Sequence, residues 1–183
     1  MTGVGGFADS FALRWENARP RSRLIIGVML VALIGLVGLT PKTLFGVQLS
    51  WPYIGLIAAV GWGRSGMAFA PMAFLLMFGF AQDASQAPWG SHGFANLLTY
   101  GLSVIVSQMA DTERSPILSF ILPVVTLFFG IMLVWLVASV SSGHIARVTP
   151  MLTAYFATLV VHMLIAPLFD LGIRRGVSGG AAS

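Results

Sequence analysis

Three uncharged apolar runs limit what this chain can fold into. "LIIGVMLVALIGLVGL" (24–39) and the stretch Pro116 to Ala138 contain no Asp, Glu, Lys or Arg, and neither does Pro150 to Phe169. A helix needs about 20 residues to cross the ~30 Å hydrocarbon core of a bilayer. Backbone groups there find no water, so such runs pair their own N–H and C=O groups as helices. At 57% hydrophobic and 9% charged over 183 residues, the sequence lacks the polar skin that a soluble domain requires. The pattern is that of an all-α integral membrane protein.

Apolar segments recur at about Leu24–Leu39, Trp51–Trp62, Met67–Ala81, Gly93–Met109, Pro116–Ala138 and Pro150–Phe169. They predict one compact bundle of about six transmembrane helices, the second and third short or partly re-entrant. Trp51 and Trp62 lie 11 positions apart, only roughly 16 Å of helix. Around this bundle (residues 24–170) stand a basic N-terminal segment (1–23) and a flexible tail (171–183) that ends "GVSGGAAS". Ser50, Ser115 and Thr149 precede Trp51-Pro52, Pro116 and Pro150, the pattern of a hydroxyl cap followed by a first-turn proline. Pro123 falls inside the fifth span. Gly27 and Gly38 lie near one face of the first span, where another backbone can approach.

The charges give an orientation. With six spans, Arg14, Arg19, Arg21, Arg23, Arg64, Arg114, Arg174 and Arg175 share one side, against Lys42 and Arg147 on the other. Eight against two predicts cytoplasmic termini by the positive-inside rule. The same scatter between apolar runs argues against a nucleic-acid surface, which clusters its cations. Cysteine is absent, which excludes disulfides and thiolate chemistry.

Reactive constellations are scarce. His92, His144 and His162 follow no metal-ligand spacing such as H-E-x-x-H, and no G-x-x-x-x-G-K-[ST] occurs. His92 and His144 are expected in or beside outer loops, solvated, whereas His162 falls mid-span on one face with Tyr155 and Thr158. Ser91 and Ser142 adjoin glycine and a histidine, a weak nucleophile signal. No enzyme and no cofactor are expected. A second polar stripe, Asn96, Thr99, Tyr100, Ser103 and Ser107, recurs at three- and four-residue steps on the fourth span. Such stripes serve interhelical hydrogen bonds; the alternatives are a ligand cavity or a docking face.

One stretch, "FGFAQDASQAPWG" (78–90), places an acid where almost everything around it is apolar. Gly79, Asp83, Pro88 and Gly90 join two spans by a short turn, and the carboxylate is positioned to cap the following N–H groups. This reads as a rigid corner that holds two helices in register.

These residues resemble the MreD family of bacterial rod-shape-determining membrane proteins. The family's motif is an apolar helix ending in glycine, an aspartate four residues later and a turn closing in proline and glycine, matched by Gly79, Asp83, Pro88 and Gly90. "WGRSGMAFAP" (62–71), with Arg64, looks like its aromatic, basic turn, Arg114 like the basic residue before the fifth span, and "LIAPLFDLGIRR" (164–175) like its last helix. The resemblance implies a non-catalytic inner-membrane scaffold with both termini cytoplasmic. Its implied partners are MreC, the complex of RodA with a class B penicillin-binding protein, MreB filaments indirectly, and membrane lipid. Substrate-binding subunits of energy-coupling-factor vitamin transporters, of similar length and helix number, are the alternative. There the stripes at Asn96, Tyr100, Ser103, Tyr155, Thr158 and His162 would line a pocket.

Overall fold

A computed structural model describes residues 14–15, 17–38, 43–44, 47–48, 51–86, 89–109 and 116–171. Among the described residues six helices follow one another: α1 (Pro20–Gly38), α2 (Ile54–Arg64), α3 (Phe69–Gln86), α4 (Ser91–Met109), α5 (Pro116–Ser142) and α6 (Val148–Ile165). A 3-10 turn, Ala166–Phe169, closes the described chain. Between α1 and α2, Thr43–Leu44 and Val47–Gln48 form a two-residue antiparallel pair, Thr43 opposite Gln48.

Among the described residues, three helices are long and apolar enough to cross a membrane: α1, the Ile117–Ser142 part of α5, and α6 with the 3-10 turn. The six crossings expected from sequence are therefore not all met by length and composition. At 11 residues α2 is too short, and the apolar part of α3 runs only from Phe69 to Ala84. The fourth helix is long enough at 19 residues, but it carries the polar stripe.

The shortest helix is the hub. Every residue from Ile54 to Gly63 is buried, because "IGLIAAVGWG" is apolar or glycine all round and α1, α3, α4, α5, α6 and the 3-10 turn all pack against it. Leu56, Ile57, Val60 and Trp62 join Val31, Leu75, Val104, Leu127 and Ile131 in one core. Large apolar side chains on α1 (Met29, Leu33), α5 (Phe120, Phe129) and α6 (Phe156, Leu164) instead face outward.

Glycine sets the spacing, in two ways. The glycines of α1 receive rings rather than a backbone: a Cβ at Gly27 would sit 3.0 Å from the Trp62 ring, and one at Gly38 2.5 Å from Trp51. True backbone approach occurs at Gly79, where a Cβ would collide with the backbone of His92 and Gly93 on α4. Helix starts also differ from expectation. The residue before α2 is Tyr53 and that before α6 is Arg147, and neither makes a side-chain cap bond. Thr149 lies one residue inside α6. Ser50 and Ser115 lie outside the described residues.

Both ends of the described chain meet at one end of the bundle. Arg23, buried on α1, donates from Nη1 to the Asp170 carbonyl (3.1 Å) and stacks 5.6 Å above Trp15. The Trp15 indole donates to the Pro167 carbonyl (3.1 Å), and the Leu171 N–H to Ser65 Oγ (3.1 Å) just past α2. Phe169 is fully buried, edge-on to Trp62 at 5.8 Å.

Candidate functional site

Asp83 and the start of α4 form the most elaborate polar cluster among the described residues. Expected just beyond a helix, Asp83 sits within α3, which runs on to Gln86. The residue is 2% exposed. Its Oδ1 accepts from Ser91 Oγ (2.8 Å), the His92 N–H (2.9 Å) and His92 Nδ1 (2.7 Å). Oδ2 accepts from the N–H groups of Gly90 (3.0 Å) and Gly93 (3.3 Å).

A helix start leaves its first N–H groups without intrahelical partners and carries partial positive charge. One carboxylate from the preceding helix satisfies three of those groups here. Burial alone pushes the Asp83 carboxyl up, but the bonds from His92, Ser91 and Gly93 outweigh it and hold the group below the ordinary aspartate range. The carboxylate is thereby kept charged.

Glycine makes the geometry accessible. Gly90 has φ = +92°, a left-handed conformation that side chains disfavour. The contact of Gly79 with Gly93 lets α3 and α4 approach closely enough for one carboxylate to reach α4's first turn. Pro88 and Arg114, the other expected members, lie outside the described residues.

The cluster overturns one sequence expectation. His92 is not a solvated loop histidine; it occupies the first turn of α4, its side chain is 12% exposed, and its ring lies 5.4 Å from Tyr53. The bond to the Asp83 carboxylate, which only accepts, makes Nδ1 the donor. Ser91 is fully buried, and its hydroxyl donates a hydrogen bond to the same carboxylate. In Ser–His–Asp catalysis the serine faces the ring nitrogen opposite the aspartate. Here Ser91 and Asp83 both face Nδ1 (3.3 and 2.7 Å).

The stripe on α4 is turned into the bundle. Asn96 Nδ2 donates to the Leu75 carbonyl (3.3 Å), and its amide fills the space left by Gly55. Tyr100 Oη accepts from the Ala68 N–H (2.8 Å) and donates to the Gly66 carbonyl (3.0 Å), pinning the turn between α2 and α3. Ser103 Oγ donates to the Val60 carbonyl (2.9 Å). Thr99, equally buried, has no hydrogen-bond partner for its hydroxyl among the described residues.

On α6, Tyr155 donates to the Val124 carbonyl (3.2 Å), while Thr158 donates to the Ala154 carbonyl (2.6 Å) and accepts from the Tyr53 N–H (3.0 Å). His162 is buried, its Nδ1 without a hydrogen-bond partner among the described residues. The stripes thus face inward, well apart from Asp83 along the chain, and join helix to helix. Arg64 ends α2 and donates to Ser119 Oγ on α5 (3.0 Å).

No group of three or more His, Cys, Asp or Glu side chains able to hold a metal occurs among the described residues. What stands out is a helical protein with three helices apolar enough for a membrane, a buried hub, and a carboxylate-capped corner between α3 and α4. In comparisons with known proteins, no family model, curated protein or solved structure matches the chain.

Proposed function

We propose that this chain is a non-catalytic membrane scaffold of the MreD type. It would sit in a bacterial inner membrane as a bundle of about six embedded helices, both termini in the cytoplasm. It would bind MreC and help organise the sidewall peptidoglycan synthesis carried out by RodA and a class B penicillin-binding protein. One observation carries the reading. The corner is built for rigidity, with the Asp83 carboxylate held by five contacts, one from Gly90 and four from the first turn of α4. A fixed corner suits a surface that must present the same shape to a partner's span. The orientation rests on the eight-against-two excess of basic residues on one side, and Arg23 and Arg64 share the bundle end where the two ends of the described chain meet.

The test is shape complementation in a deletion strain, with affinity purification of the tagged protein in mild detergent. Asp83→Ala is expected to lose rod shape and co-purifying MreC, and Arg147→Ala to keep both. Equal rescue by the two variants sinks the reading. So does recovery of paired ATPase subunits in place of MreC, which would point to a transporter.

A further inference from the structure

Exposed cations gather at the start of α1, where Arg14, Arg19 and Arg21 all face outward. Residues 1–23 hold four arginines against two acids, Asp9 and Glu16, so the segment is net positive wherever those acids lie. A chain end ahead of a span is ordinarily loose unless something ties it down. Here Trp15 does so. Its indole donates to the Pro167 carbonyl (3.1 Å), and its ring lies 5.6 Å from the Arg23 guanidinium, which itself donates to the Asp170 carbonyl (3.1 Å). The Ala18 N–H bonds to the Trp15 carbonyl and the Arg23 N–H to the Arg19 carbonyl, both at 3.1 Å. A single turn thus joins the docked ring to α1, with Arg14 before it and Arg19 after it.

Charge and position decide the partner. α1 is long and apolar enough to cross a membrane, which puts its first turn at the headgroup layer. Arg21, Ile25 and Met29 recur at four-residue steps and form one exposed row down α1, a cation first and apolar side chains beyond it. That is the layout of a phospholipid, headgroup above acyl chain. Guanidinium forks pair with phosphate oxygens, and arginines beside a span are drawn to anionic lipid. An array already held in place gives up less freedom on binding than a loose arm. A soluble polyanion would use the cations alone and leave the apolar row bare.

We infer that the docked arm and the start of α1 form a binding surface for anionic phospholipid, the headgroups held by Arg14, Arg19 and Arg21 and the acyl chains lying along Ile25 and Met29. The inference rests on α1 being embedded and stands independently of the scaffold reading.

Native mass spectrometry of the full chain in mild detergent tests it, with phosphatidylglycerol and phosphatidylcholine of the same acyl chains as probes. The intact protein is expected to retain phosphatidylglycerol in preference to phosphatidylcholine. Arg21→Gln should weaken that retention about fivefold, the triple change of Arg14, Arg19 and Arg21 to Gln should abolish the preference, and Arg147→Gln should leave it unchanged. Trp15→Ala keeps every charge but frees the arm, and is expected to weaken retention as Arg21→Gln does. Raising the salt to about 1 M should remove most of the preference in the intact protein, a check that needs no variant. Equal retention of the two lipids, or a preference that survives high salt or the triple change, overturns the surface. Full retention by Trp15→Ala removes the docked arm from it. Displacement of the lipid by millimolar inorganic phosphate would make it a soluble-anion site and overturn the lipid assignment.

Discussion

The α2–α3–α4 unit and the α5–α6 hairpin solve the same packing problem with different means. Within the first, glycines bring helices together, and buried Asn96, Tyr100, Ser103 and Asp83 bond directly to neighbouring backbone or helix-start groups. The outer part of the hairpin is a set of apolar side chains such as Leu136, Val140 and Ile145, all exposed, with the Trp135 indole bonded to the Ala146 carbonyl (3.0 Å) near its turn. In lipid, apolar contact gives little net drive between helices, so packing and polar bonds determine which pairs are fixed. The first unit is specified residue by residue; the hairpin end has latitude.

The sharpest break of this contrast is a side chain at Gly79. Because a Cβ there meets the α4 backbone rather than a movable side chain, Gly79→Leu should destabilise by more than about 3 kcal/mol. Gly101→Leu, on α4 with nothing within 4 Å, should be close to neutral. Thermal melts in detergent compare the two, and similar losses would show that glycine contacts do not set the stability of this unit.

Next in size is Asp83→Asn, expected to cost about 2–3 kcal/mol because it puts an amide donor against N–H groups that the carboxylate accepted. It also has a pH signature. The folded pKa of Asp83 is lowered, so its stabilisation is complete above the ordinary aspartate value of about 3.9. It is lost as the pH falls from there through the lowered folded value. Melts between pH 7 and pH 3 should show that loss in the intact protein and a smaller one in Asp83→Asn. Parallel pH curves would remove the carboxylate from the account.

Ser103→Ala, which removes one bond to the Val60 carbonyl, should cost about 0.6–2 kcal/mol. Smallest is Trp135→Phe in the hairpin, expected within about 0.5 kcal/mol because the bond it loses is partly exposed. A larger loss from Trp135→Phe than from Ser103→Ala would reverse the ranking of the two regions.

How much of this was written in the sequence depends on how local each cause is. The corner was legible because a lone acid between glycine and proline, after an apolar helix, has a short-range explanation. His92 was not, because its role depends on where α4 begins. Placing that start at Gly93 puts the ring in a loop, and moving it to Ser91 brings the ring onto Asp83. The inward direction of the α4 stripe followed from spacing, but its partners Leu75, Gly66 and Val60 are backbone carbonyls, which carry no sequence signature. Arg23 was least legible. A basic residue ahead of a span reads as a solvated topology signal, and its actual contact is a carbonyl 147 positions away.

That long-range contact bears on how the chain is made. The pocket for Trp62 and Gly61 is closed by Phe169, one of the last residues of the described chain. A ribosome emits α2 more than 100 residues before its lid. Until then the hub helix, too short to cross alone, has one flank unsealed. The insertion machinery must therefore hold or shelter a half-covered intermediate, and a message truncated before Phe169 would leave that flank open to quality-control proteases.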